Sequence, residues 1–218
     1  MVLHQTIIGQ EAMLQMEKID EYPDIVIGCC GGGSNFAGLS LPFMREKILG
    51  KRDTRFVGVE PMACPTLTRG VYAYDYGDLA GMTPLIKQYT LGSSFIPSAI
   101  HAGGLRYHGM SQIISRLYHD RLLEAVAVPQ TKVFEAAKVF AVQEGLLPAP
   151  ESSHAIYQAM EEARRCRETG EEKVILFCLS GHGNFDLTAY DNYNQGRVVD
   201  AALTEEDLAA GLANLPQI

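Results

Sequence analysis

With 218 residues the chain suffices for one sizeable α/β core and is short for two domains of average size. A composition of 47% hydrophobic and 20% charged residues, without tryptophan, excludes a disordered, collagenous or coiled-coil protein. Eighteen Lys and Arg against 26 Asp and Glu leave a net charge of −8, the opposite of the basic footprint that a phosphate backbone requires, so nucleic acid is not an expected partner.

In chain order, Met1–Asp20 places Ile7, Ile8, Leu14 and Ile19 near a helical period, and Pro23-Asp24 turns the chain into a strand at Ile25-Val26-Ile27. The loop Gly28-Cys29-Cys30-Gly31-Gly32-Gly33-Ser34-Asn35 follows, then a helix over Phe36–Leu49, with Pro42 as its kink or its start and Gly50 as its stop. A strand at Arg55–Glu60 completes a strand–helix–strand unit, the building block of parallel sheets. From Cys64 to Gly109 periodicity fades into a loop-rich stretch, of a length that is more often functional than idle. Order returns with helices at Ser111–His119, Thr131–Glu144 and Ser152–Glu168 and strands at Glu124–Val128 and Lys173–Leu179. The tail Thr204–Leu212 opens on Thr204-Glu205-Glu206-Asp207, a near capping box. These alternations predict an α/β fold with a mostly parallel sheet flanked by helices, residues 1–200 forming the ligand-binding domain and 201–218 a helical tail.

The longest apolar stretches, Ile25–Cys30 and Val174–Leu179, fall far short of the roughly 20 residues that cross a bilayer. Met1–Asp20 carries no basic residue before Lys18 and no continuous apolar run, unlike a secretory signal. Five cysteines without a framework spacing read as reduced thiols, and the expected location is cytoplasmic.

Gly31-Gly32-Gly33-Ser34-Asn35 sits where a strand hands over to a helix, whose first amides point outward with about half a positive charge. Three glycines let the backbone wrap an anion, and Ser34 and Asn35 add side-chain hydrogen bonds, so the loop reads as a phosphate cup. It is not a P-loop, because Ser34 holds the place of the lysine. As a dinucleotide fingerprint it has Phe36 where the third small residue belongs, although Glu60 could serve as the ribose-binding acid. Leu179-Ser180-Gly181-His182-Gly183 follows the last strand and so faces the same crevice in a parallel sheet. It fails as a nucleophile elbow, since Cys178 replaces the first glycine.

Between two helices, Glu144–His154 concentrates acids and hydroxyls. Glu151 and Ser152 read as caps of the second helix, whereas Glu144, in the last turn of the first, opposes the macrodipole and needs another explanation. Glu151-x-x-His154 matches half of a di-metal carboxylate motif, but with one copy and no second Glu-rich helix no metal is expected. Arg106, among His101, Gly103, Gly104, Tyr107 and His108, is the best cation for a substrate anion or else pairs with a surface acid.

Taken together, Gly31–Asn35, Gly58-Val59-Glu60-Pro61, Ile100–Gly109, Glu144–His154 and Leu179–Gly183 resemble, in order and spacing, the tryptophan synthase β chain, and most closely its divergent second type, from about residue 2 to about 195. The resemblance implies a fold-type II pyridoxal-phosphate enzyme that replaces the hydroxyl of serine with indole to make tryptophan. It implies that Gly31, Gly32, Gly33, Ser34 and Asn35 hold the cofactor phosphate, that Ser180 bonds the pyridine nitrogen, and that Glu144 lies against the ring as a catalytic carboxylate. His182 stands where many β chains carry arginine, which leaves coupling to an α subunit in doubt. The family's cofactor-bonding lysine and substrate-carboxylate loop lie upstream of everything in this sequence, so the chain resembles the C-terminal half alone. Such a half is expected to be inactive by itself, to need the missing N-terminal half, and to dimerise or aggregate through the surface that half would cover. Of Lys18, Lys47, Lys51, Lys87, Lys132, Lys138 and Lys173, only Lys87 lies in the irregular region near the crevice. The competing reading is a stand-alone binding module for pyridoxal phosphate or another phosphorylated metabolite.

Overall fold

The computed structural model describes residues 2–217. Two helices, α1 (Val2–Gln5) and α2 (Ile7–Lys18), lead into strand β1 (Ile25–Cys29), helix α3 (Ser34–Ile48) and strand β2 (Arg55–Pro61). A short helix α4 (Thr66–Arg69) precedes strands β3 (Val71–Asp75) and β4 (Ile86–Thr90), followed by α5 (Gln112–His119) and β5 (Glu124–Val128). Helices α6 (Gln130–Glu144) and α7 (Pro150–Thr169), strand β6 (Ile175–Phe177), and helices α8 (Leu187–Asn194) and α9 (Glu205–Leu212) complete the chain.

Strands β5, β2, β1 and β6 lie in that order in one sheet, and every pairing is parallel. Alternation along the strands divides the core into two layers. Val26, Cys30 and Phe56 face one way, onto Ala12 of α2, Phe36, Leu39, Phe43 and Met44 of α3, and Ile114 and Leu117 of α5. Ile25, Ile27, Val57 and Val59 face the other way, onto Val133 of α6 and Ala155 of α7. Strand β1 is buried throughout because it lies inside the sheet with a helical layer on each face.

The fold class matches the expectation, with three local differences. Residues 64–109 are not structureless: β3 and β4 form an antiparallel hairpin, Val71 opposite Thr90 and Asp75 opposite Ile86. Pro42 neither starts nor ends a helix but lies inside α3. Helix α8, which no periodic signal announced, packs Ala189 and Tyr190 onto Phe134 and Ala137 of α6. The tail helix is capped as the sequence suggests, Thr204 Oγ1 accepting the Asp207 amide at 3.1 Å. Its approach buries Leu203 with Cys64 and Leu91, and Phe95 and Leu208 pack alongside.

Candidate functional site

Because the four strands are parallel, the loops leaving their carboxyl ends share one edge, where open α/β sheets bind ligands. Ile27 of β1 pairs with Phe177 of β6, so the glycine loop and the Ser180 turn emerge side by side. Gly33 caps α3 with φ of 86°, a left-handed conformation that favours glycine. The amides of Gly32, Gly33, Ser34 and Asn35 donate to no acceptor among the described residues, leaving a turn of free donors at the positive end of a 15-residue helix. Asn35 Oδ1 is buried without a partner as well. One wall of this cup is the segment after β4: Ser111 N donates to Gly32 O at 2.9 Å, and a Cβ on Gly31 would stand 2.5 Å from Gly104 O. The loop geometry thus fits a phosphate group, with unpaired donors and no side chain at the point of closest approach.

Across the crevice, Ser180 is exposed and its Oγ lies 3.1 Å from Ser152 Oγ and 3.8 Å from Cys29 Sγ. Ser152 is fully buried and donates to Gly181 O at 3.2 Å, an oxygen that also accepts the Ala149 amide at 3.0 Å. The turn opens on a cavity of about 520 Å³ lined in part by Gly145, Leu146, Leu179, Ser180 and His182. A larger groove of about 700 Å³ runs along α2 over Met13, Leu14 and Tyr22 and includes none of these residues.

The two acids of the α6–α7 connection part company. Glu144 is exposed at the end of α6 and makes no hydrogen bond or ion pair among the described residues; its neighbour Gly145 lines the cavity. Glu151 lies in the first turn of α7 and its Oε1 accepts the Gly104 amide at 2.9 Å. The helix cap is Ala149, without a side-chain bond, so Glu151 and Ser152 are not the caps that their sequence position suggests. Both turn toward the crevice. Burial pushes the Cys29 thiol up to about 12, with the charge of Glu151 adding to it and the bond to Ser180 opposing it, so this sulfur stays a protonated wall of the site. The signal that could have found this pair is the doubled serine after a carboxylate at a helix start, where one residue suffices for capping.

The other candidates have structural roles. Glu60 is wholly buried, its two oxygens taking the Leu67 amide at 2.6 Å and the Thr68 amide at 3.1 Å, so it holds the start of α4 and cannot reach a ribose. Burial pushes its carboxyl up to about 7 against those bonds. His154 turns into the core, Nδ1 donating to Pro150 O at 2.8 Å, and burial lowers it to about 4. Arg106 donates to Pro97 O at 2.6 Å. Asn184 N donates to His182 Nδ1 at 3.3 Å. Lys87 lies over the rings of Tyr72 and Tyr74, Lys47 pairs with Asp53, Lys51 with Glu46 and Lys132 with Glu135, and no lysine bonds a crevice residue among the described residues. No helix is long and apolar enough to cross a membrane among the described residues.

Comparison with known proteins agrees with this geometry. The chain is similar to proteins named tryptophan synthase beta chain 2: 60% identical over 202 residues in Aquifex aeolicus, 59% over 197 in Methanosarcina mazei and 60% over 189 in Thermotoga maritima. These matches cover 91%, 90% and 87% of this chain but 46%, 45% and 44% of the relatives, so the chain spans about half their length, corresponding to their C-terminal half. Among solved structures, a fungal L-serine ammonia-lyase from Rhizomucor miehei superposes with a TM-score of 0.62 at 18% identity, covering 89% of this chain and 56% of that one. A bacterial threonine deaminase, from the organism abbreviated T.th., superposes at 0.59 and 20% identity, covering 84% and 58%. The fold is therefore the fold-type II one that the motifs imply. With the family of pyridoxal-phosphate dependent enzymes matching residues 1–181, a span that takes in both the anion cup and Ser180, the chain belongs to that family.

Proposed function

We propose that the chain is the phosphate- and ring-holding half of a β-replacement enzyme that joins serine and indole into tryptophan, and that it needs a lysine-bearing half to turn over. The observation that carries this reading is the row of free amides from Gly32 to Asn35 opposite Ser180 in one crevice. The relatives' names supply the reaction, and their double length supplies the need for a second half. When bound, pyridoxal phosphate supplies an electron-accepting ring. Gly31, Gly32, Gly33, Ser34 and Asn35 hold its phosphate, and Ser180 meets the ring nitrogen. A serine hydroxyl is neutral and cannot keep that nitrogen protonated as a carboxylate would, which suits elimination and replacement at Cβ.

For the carboxylate beside the ring, Glu151 is favoured over Glu144 by its bond to Gly104 and its effect on Cys29. Five free cysteines, four of them buried, support a cytoplasmic setting. The substrates are small molecules, and an α subunit is not required for the reading. The alternative, a module that binds a phosphorylated metabolite without chemistry, is favoured only by the engagement of Lys47, Lys51, Lys87 and Lys132 outside the crevice. The experiment that separates them mixes the chain with the unmatched part of the Aquifex aeolicus relative, expressed separately, and follows tryptophan formed from serine and indole. Tryptophan above the level of either part alone supports the enzyme half; none, with both parts folded and associated, supports the module.

A further inference from the structure

Ser152 donates to Gly181 O at 3.2 Å while its Oγ stands 3.1 Å from Ser180 Oγ, and it is fully buried in the first turn of α7. A hydroxyl carries one proton and two lone pairs, so Ser152 cannot donate to both neighbours at once. Gly181 O is an acceptor only. Both contacts are hydrogen bonds together only when Ser152 donates to Gly181 O and Ser180 donates to Ser152, which leaves Ser180 facing the crevice as an acceptor. The opposite arrangement has Ser152 donating to Ser180 and Ser180 donating into the crevice. Its cost is small, because Gly181 O keeps the Ala149 amide at 3.0 Å.

We propose, on the cofactor reading above, that Ser152 is a positioning residue that sets the direction of the Ser180 hydroxyl. An unprotonated ring nitrogen in the crevice takes the Ser180 proton, and the Ser152 proton swings from Gly181 O onto Ser180 Oγ, so the two hydroxyls turn as a unit. Each bond then polarises the next, and the contact to the ring is stronger than Ser180 alone would make. Ser152 itself stays out of contact with the ligand.

The test measures dissociation constants for pyridoxal 5′-phosphate and for inorganic phosphate on the full chain and on Ser152→Ala, Ser180→Ala and the double variant. The expected result is that each single substitution weakens pyridoxal phosphate about fivefold, that the double loses no more than the larger single, and that inorganic phosphate binding is unchanged in all three. Equal losses for both ligands in Ser152→Ala would mean that Ser152 only holds the turn together, and would overturn the inference. Wild-type affinity for pyridoxal phosphate in Ser152→Ala would overturn it too, while leaving the cofactor reading intact. If neither ligand binds the wild-type chain, the cofactor reading falls and the inference with it. Ser152→Cys, similar in size with a weaker donor, is expected to show an intermediate loss and serves if the alanine variant does not fold.

Discussion

Glu151 Oε1 accepts the backbone amide of Gly104 at 2.9 Å, which ties the first turn of α7 to the loop that closes over Gly31. The two segments are 47 residues apart in sequence, so this bond is part of what assembles the crevice. A carboxylate in a first helical turn is also favoured by the macrodipole, and Glu151 serves both ends.

Removal of that acceptor should loosen the wall without unfolding the protein. Glu151→Ala is expected to destabilise by about 1–2 kcal/mol, the cost of losing a charge-assisted bond to a partly buried amide, and to speed hydrogen exchange at Gly104. Glu144→Ala, exposed and unpaired among the described residues, is expected to leave both unchanged. Amide exchange measured on the two variants checks this.

Close approach at the glycine loop gives a second expectation. A Cβ on Gly31 would meet backbone, Gly104 O at 2.5 Å and Leu105 Cα at 3.0 Å, neither of which is free to swing aside. Gly31→Ala should therefore push residues 103–105 off the cup and weaken inorganic phosphate binding by more than about tenfold, with a stability loss of about 1–3 kcal/mol from overpacking. Calorimetric titration with phosphate measures the first and chemical denaturation the second.

Two buried groups give opposite pH dependences. Glu60 has a carboxyl raised from 4.5 to about 7, so the native state holds a proton that the unfolded chain has released, and stability falls as pH rises from about 4.5 to 7. His154 is lowered from 6.5 to about 4, so the unfolded chain takes a proton that the native state refuses, and stability falls as pH drops from 6.5 toward 4. The two contributions, each of order 3 kcal/mol at most, oppose one another between about pH 4.5 and 6.5. Glu60→Gln is expected to leave stability rising with pH across that window, and His154→Asn to leave it falling. Denaturation midpoints from pH 4 to 8 show which slope each variant takes.

Much of this architecture was legible because hydrophobic period and punctuation agree. Ile25-Val26-Ile27 runs into three glycines and Gly50 stops the next helix, and β5 lies at Glu124–Val128 as expected. The hairpin of β3 and β4 escaped because its alternation is carried by tyrosines, Tyr72, Tyr74 and Tyr89, among glycines and a proline that read as loop. The rings of Tyr72 and Tyr89 stack on one another, and Tyr72 on His119, rather than into the sheet core. Helix α8 escaped because its short sequence, Leu187–Asn194, has two buried residues and is specified by α6 rather than by its own pattern. In the site, the glycine loop and Ser180 are local motifs and could be read. The pairing of Glu151 with Gly104 and of Ser152 with Ser180 depends on contacts across 47 and 28 residues, and capping explained both side chains equally well from sequence.

The tail offers a fourth expectation. Leu203 and Leu208 cover Cys64 and Leu91, and Arg69 bonds Leu203 O and Glu205. Truncation after residue 200 should uncover the Cys64 thiol, now 1% exposed, so that a thiol reagent labels it at least about tenfold faster under native conditions. Mass spectrometry of labelled peptides distinguishes Cys64 from the other four cysteines.

The most direct measurement titrates the purified chain with pyridoxal 5′-phosphate, with inorganic phosphate as competitor and borohydride reduction followed by peptide mapping. Saturable, phosphate-competitive binding with no lysine trapped is the expected result, that of a cup whose lysine comes from another half. Binding that phosphate does not displace, or a stoichiometric adduct at one of the seven lysines of this chain, would contradict it.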